Sequence, residues 1–246
     1  VSNPALTWET IKTLDVGFDL GFLNNDLNIV FDWYQRQTTG MLVTADQVAY
    51  EIGLSSMPKV NGGDMRTRGW EVQVDYNHSF NKNFRIYATA TLADSKSEIT
   101  DWGTNTGAIT GYYVGKQWGE IWGFQTADAY FTADEAANGV VLADGSRVDI
   151  NSVYQKALYK GSFRYGEGDV KYVDVNGDGK VDTGKGTIDD HGDLIRIGNN
   201  QPRYEYSLRA GLQWKGLDFE FLFQGVGKRD FWTTSSLIIP FTQGRS

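Results

Sequence analysis

The stretch LDVGFDLGFLNNDLNIVFDW, residues 14–33, decides the fold. In its first half Leu14, Val16, Phe18, Leu20 and Phe22 alternate with Asp15, Gly17, Asp19 and Gly21. Successive side chains of a strand point to opposite faces, so this period of two describes a ribbon with one greasy side and one polar side. Asn24-Asn25-Asp26 supplies turn residues, which tolerate left-handed backbone and bond their own main chain. The chain then returns with Leu27, Ile29, Phe31 and Trp33 set against Asn28 and Asp32.

Working outward, the same alternation recurs four times. Trp70, Val72, Val74 and Tyr76 oppose Glu71, Gln73 and Asp75; Phe84, Ile86, Ala88, Ala90 and Leu92 oppose Arg85, Tyr87, Thr89 and Thr91. Much later Tyr204, Tyr206, Leu208, Ala210, Leu212 and Trp214 oppose Glu205, Ser207, Arg209 and Gln213, and Leu217, Phe219, Phe221 and Phe223 oppose Asp218, Glu220 and Gln224. Strands are therefore expected at about 10–22, 27–38, 66–77, 84–93, 203–214 and 217–226, with long loops at about 39–64 and 93–202. Connections alternate short and long, the polar faces carry charge, and aromatic residues gather at the strand ends. Trp8, Trp33, Trp70 and Tyr204 mark one end, Tyr76, Phe80, Phe84 and Trp214 the other. Strands of this length, with aromatic belts at both ends and long loops on one side, fit an antiparallel transmembrane β-barrel. The fold class expected is all-β, a segment of a large outer-membrane barrel with long extracellular loops.

Composition agrees. Of 246 residues 14% are aromatic and 29 are Gly, while only 4 are Pro, a mix suited to strands and turns. With no Cys, disulfides, thiolate metal sites and Cys nucleophiles are excluded. A net charge of -8 without a basic stripe disfavours a nucleic-acid partner. No run of apolar residues is long enough for a membrane helix, and no signal peptide is read at the start. A soluble antiparallel sandwich would also alternate, but an insertion as long as 93–202 is uncommon in such folds.

Asn3-Pro4-Ala5-Leu6-Thr7-Trp8-Glu9 leads into the first strand, and DWYQRQTTGML, Asp32 to Leu42, closes the second. Asn61-Gly62-Gly63-Asp64-Met65, Arg68-Gly69-Trp70-Glu71, Gly119 to Phe124, Lys171 to Asp182, and Ile197-Gly198-Asn199 with Pro202 and Tyr204 follow. In kind and in order, over nearly the whole chain, these stretches resemble the SusC/RagA family of TonB-dependent outer-membrane transporters. The resemblance implies a barrel of roughly 22 strands around an N-terminal plug, in the bacterial outer membrane. It also implies import of oligosaccharides or peptides, with a SusD-like surface lipoprotein as lid and TonB as energy source. Residues 1–246 are then expected to be a fragment of the barrel domain, wall and external loops only, with plug and TonB-box segments absent. The expected activity is transport without catalysis, with outer-membrane lipid against the greasy faces. The competing class is a soluble calcium-stabilised carbohydrate-binding or adhesion module.

One loop reads as a cation site. Asp174, Asn176, Asp178 and Gly179 fall at positions 1, 3, 5 and 6 of an EF-hand-like loop, Lys180 would offer its carbonyl at position 7, and Asp182 stands at position 9. Hard oxygens at this spacing suit Ca²⁺, whereas an acidic Gly-rich turn capping its own backbone gives the same letters. Position 12 is Lys185 rather than an acid; by the family resemblance Asp193 takes that place, with Asp189 and Asp190 as competitors. Gly179, Gly184 and Lys185 imitate a phosphate loop, but Gly186 replaces its Ser/Thr and no helix pattern follows. His78 and His191 are isolated, so no zinc pair is expected. The aromatics of 102–131, Trp102, Tyr112, Tyr113, Trp118, Trp122, Phe124, Tyr130 and Phe131, suit either sugar stacking or the loop's own core. No substrate contact is readable from the residues.

Overall fold

The structure is a computed structural model and describes residues 4–44, 59–103, 106–158 and 162–233. Twelve strands run in order: β1 Thr10–Phe22, β2 Leu27–Thr44, β3 Lys59–Asn81, β4 Phe84–Trp102, β5 Glu120–Phe124, β6 Thr126–Tyr130, β7 Val140–Val141, β8 Arg147–Val148, β9 Val170–Tyr172, β10 Leu194–Asn199, β11 Arg203–Trp214 and β12 Leu217–Lys228. One α-helix, α1 Ala133–Asn138, lies between β6 and β7, and after β8 Ile150–Tyr154 and Lys156–Leu158 form π and 3-10 turns. They form two compact units. The first is a wall built from the described residues within 1–104, 114–119 and 199–246; the second is a loop unit built from those within 105–113 and 120–198.

The wall is a six-stranded antiparallel sheet in the order β1-β2-β3-β4-β11-β12, and among the described residues it does not close. Its tight turns share one end. Leu23, Asn24 and Asn25 all adopt left-handed backbone, as do Lys215 and Gly216. Two consecutive left-handed residues match the twist of a hairpin. Register carries each greasy row across the sheet: Leu20, Ile29, Val74, Ala90, Leu208 and Phe223 are successive partners. Among the described residues no protein layer covers these rows. Phe18 is 51% exposed, Phe219 60% and Phe223 65%, an apolar expanse far beyond what a water-soluble surface carries. Trp33 pairs with Trp70, and Phe84 with Trp214, but Trp8, read as part of the first belt, precedes Thr10, the partner of Thr39, and so stands well beyond the Trp33 row.

The strand bounds need correction. β2 runs to Thr44, β3 begins at Lys59 and β4 runs to Trp102, so three strands extend into stretches read as loops 39–64 and 93–202. The alternation stops near Trp33 and Trp70 because both faces are polar beyond them, while the backbone ladder continues. Water on both sides removes hydrophobic periodicity without removing hydrogen bonds. The region 93–202 also holds β5 to β10 and α1 rather than bare loop.

Glycines on the polar face receive rings from the neighbouring strand. Gly69 lies beneath Tyr34, its strand partner, and Gly211 beneath Tyr87. Tyr87 then donates to the Glu220 carboxylate at 2.8 Å, which also accepts from Arg209 at 2.8 Å. A side chain at Gly211 would meet the Phe219 carbonyl 2.7 Å from its Cβ as well as the Tyr87 ring. Gly211→Val is expected to destabilise the intact protein by about 1–3 kcal/mol, as overpacking does. The fall should appear as a lower temperature for conversion of the folded to the unfolded band in gel electrophoresis. Gly216→Ala, in the turn, has open space around it and carries only the cost of its left-handed backbone.

The loop unit has its own core of Phe131, Val140, Ile150, Tyr154 and Val181, with Phe124, Leu142 and Tyr172 packed against it. Thr132 opens α1 with a capping box, its hydroxyl accepting from Glu135 N–H while Glu135 accepts from Thr132 N–H. Lys171 Nζ lies 2.5 Å from Glu135. Burial raises the Glu135 acid, but the Lys171 ammonium and the Thr132 N–H outweigh it and hold the carboxyl below its usual range. Gln155, fully buried, accepts from Tyr172 N–H at 2.7 Å and donates to the Val170 carbonyl at 3.2 Å, acting as a side-chain partner for β9.

Candidate functional site

The acidic loop follows β9 and is organised by backbone N–H groups. Asp174 accepts from Gly177 at 2.6 Å and Asp178 at 3.2 Å through Oδ1, and from Gly179 at 2.8 Å through Oδ2. Asn176 accepts from Asp178 N–H at 3.0 Å, and Asp178 from Lys180 N–H at 3.1 Å. Gly177 and Gly179 both have positive φ, which such tight turns demand. Asp193, fully buried, closes the loop from its far end. Its carboxylate accepts from Val175 at 2.7 Å, Asn176 at 3.3 Å and Asp182 at 2.8 Å.

The loop therefore brings Asp193 to the 174–182 segment, where its carboxylate accepts backbone N–H groups. Lys180 also sends its ammonium to within 2.6 Å of Asp182 and 3.6 Å of Asp178. The Lys180 partner and the Gly184 N–H hold the Asp182 carboxyl below its usual range. Asp190 pairs instead with Lys185 at 3.6 Å, which takes that lysine away from any phosphate-loop role. Among the described residues no three Asp, Glu, His or Cys side chains converge as a metal would require. The loop as observed is held by hydrogen bonds and by Lys180.

The sequence reading missed a second cluster in the loop unit. The Glu120 side chain, 2% exposed, accepts from the Tyr113 hydroxyl and from Trp122 Nε1 at 2.8 Å. Arg196 lies 3.8 Å from its other oxygen and 5.8 Å from the Trp122 ring centroid. Burial, with the Glu120 bond, pushes the Tyr113 phenol up to about 12. Tyr113, Glu120 and Trp122 are close in sequence, the last two within the Gly119–Phe124 stretch, but Arg196 is far along the chain; the β5–β10 pairing brings it near Glu120. The aromatics of 102–131 divide. Phe131 and Phe124 enter the core and Tyr113 is buried, while Trp118, Tyr112 and Tyr130 remain exposed.

The polar face of the wall is the other functional surface. Alternation places Asp15, Asp19, Asp32, Glu71, Asp75, Glu205, Asp218 and Glu220 on it, against Arg36, Arg85 and Arg209. Asp32 is the direct partner of Glu71. Thr89 donates to Asp75 at 2.6 Å, and the Thr91 and Ser207 hydroxyls lie 2.6 Å apart. Such a face is hydrophilic and acidic, fit to line water and not to form a dry core.

The family model described as "TonB dependent receptor-like, beta-barrel" matches residues 1–236. Relatives include TonB-dependent receptor P26 of Formosa agariphila, 24% identical over 92% of this chain and 21% of its own length. TonB-dependent receptor P39 of the same organism is also 24% identical, over 91% of this chain and 22% of its length. The chain thus spans about a fifth of the curated relatives it matches. Among solved structures, the RagAB peptide transporter aligns with a TM-score of 0.56 at 21% identity, over 90% of this chain and 21% of that one. The RagAB peptide importer in its open-open state gives a TM-score of 0.59 at 20% identity, over 91% of this chain and 21% of that one.

Proposed function

The chain belongs to the TonB-dependent receptor β-barrel family, and on that premise we propose that the protein carrying it imports an oligosaccharide or a peptide across the outer membrane. TonB-dependent receptors are transporters of the bacterial outer membrane, not enzymes. This chain supplies barrel wall and a folded loop unit. The observation that carries the reading is the two-sided sheet: greasy rows without a protein cover on one face, an acidic hydrophilic face on the other. Among the described residues the soluble-module alternative finds no second layer to bury those rows. TonB as energy source and a SusD-like lipoprotein lid are part of the proposal, supported by the family and by the fold shared with RagAB. The acidic wall favours neutral or basic cargo, since like charge repels in a narrow aqueous channel.

The test is uptake by cells carrying or lacking the gene, using labelled neutral oligosaccharides and labelled peptides of graded charge. Loss of uptake of one class in the deletion strain, with equal loss when TonB is removed, is the expected result. Unchanged uptake of every class, with the intact protein present in wild-type outer membranes, would overturn it.

We also propose the Asp174–Asp182 loop, with Asp193 behind it, as a weak calcium site. Its support is the oxygen spacing and the left-handed Gly179. Entry of the ion requires Lys180 to leave Asp182. Calcium is expected to bind the intact protein in the millimolar range, and Lys180→Gln to tighten binding roughly tenfold by removing a competing charge. Titration calorimetry showing no binding to either form disposes of the site.

A further inference from the structure

Above the Trp33–Trp70 pair the outward face changes character within one step of the ladder. Leu14, Gln35, Arg68 and Lys96 are successive partners in the next outward-facing row, and Lys12, Gln37, Arg66 and Glu98 in the row after it. Two residues along a strand advance about 6.7 Å, so the first basic row stands one headgroup's depth beyond the indole rings. Arg68 and Lys96 are exposed and directly opposite each other. Like charges in that relation destabilise a sheet. Arg68 donates to the Gln35 amide oxygen at 2.7 Å, and neither it nor Lys96 forms an ion pair with a described carboxylate. Arg66 is paired with Glu98 at 3.2 Å, and Arg203 with Asp94. The groove they border, about 340 Å³, is lined by Trp33, Trp70, Arg66, Arg68, Lys96 and Arg203 among others.

Four cations against two carboxylates leave this patch positive in a chain of net charge -8. Evolution toward import does not require an unpaired Arg and Lys facing away from the channel. An anion between them would relieve their repulsion and accept the guanidinium's paired N–H groups. Its height above an aromatic belt, on the face that meets lipid, matches the phosphate of a lipid whose acyl chains lie along Phe31, Val72 and Leu92 below, the next row of partners. We propose that Arg68 and Lys96, flanked by Trp33 and Trp70, form a binding site for the phosphate headgroup of an outer-leaflet lipid. The inference needs only that the wall stand in the outer membrane, whatever the cargo, so failure of the import reading leaves it intact.

The intact protein, reconstituted in lipid nanodiscs, provides the test, with diphosphorylated lipid A as probe and its dephosphorylated form and inorganic phosphate as comparisons. Native mass spectrometry and thermal stability are the readouts. The wild-type protein should retain and be stabilised by the phosphorylated lipid alone. Arg68→Gln with Lys96→Gln should weaken retention about thirtyfold, and Lys96→Gln alone by about fivefold. Lys82→Gln, in the turn between β3 and β4, should change nothing. Retention that ignores the phosphates, or that survives the double substitution in a protein with unaltered folded mobility on gels, overturns the site. Equal stabilisation by inorganic phosphate would make it an anion site and overturn the lipid assignment.

Discussion

Val74→Arg is expected to keep the protein from assembling in the outer membrane. Val74 stands in the row Leu20, Ile29, Val74, Ala90, Leu208 and Phe223, midway between the Trp33–Trp70 belt and the Phe84–Trp214 belt. An arginine at the bilayer midplane of a barrel costs about 2–4 kcal/mol, and much less near the interfaces. No aqueous route is close enough for the guanidinium to reach without distorting strand or lipid. Gln73→Arg, one residue earlier, turns the same charge to the hydrophilic face, where Gln73 now donates to Asp75 at 2.6 Å. That variant should assemble normally. Outer-membrane abundance and heat-modifiable gel mobility of the two proteins decide the matter. Equal assembly of both would mean that the greasy rows do not face hydrocarbon.

Asp193→Ala should release the acidic loop while leaving the wall intact. The carboxylate is fully buried and accepts three N–H groups from both ends of the loop. Alanine strands those donors and leaves a space, a loss of about 3 kcal/mol or more, since hydrogen bonds to a charged group contribute roughly 1.5–3 kcal/mol each. Hydrogen exchange in the intact protein should then accelerate by about a hundredfold at Val175, Asn176 and Asp182. Amides of β3 and β4 should keep their rates. Asp193→Asn retains one acceptor and should fall between. Unchanged exchange at the three amides in the alanine variant would show that the loop is fixed by something other than Asp193.

The two experiments probe different parts of the molecule, and the sequence disclosed those parts unequally. Within the bilayer the medium imposes a rule on every residue, so the Val16-Gly17-Phe18-Asp19 alternation already distinguished the lipid face from the water face. The aromatic belts followed for the same reason. Above the belts that rule lapses. Met41, Gly63 and Lys96 read as loop, although the ladder runs on through them.

The acidic loop was legible in part. Its spacing put Asp174, Asn176, Asp178 and Asp182 on one short turn, and local hydrogen bonds between near neighbours are what spacing can report. That Asp193 belongs with this turn came from the family resemblance; that it is buried and holds backbone N–H groups, and that Lys180 lies among the carboxylates, came from neither.

By itself, then, the sequence determined which side of each strand meets hydrocarbon, where the tight turns fall and the family to which the chain belongs, because each is set by neighbours two to four residues apart. Tertiary structure alone decided how far the strands reach beyond the membrane, which distant residues share a row and how Glu120 meets Tyr113 and Arg196. Strand register and loop packing join residues tens of positions apart, and no local periodicity encodes which of many chemically similar partners a side chain will face.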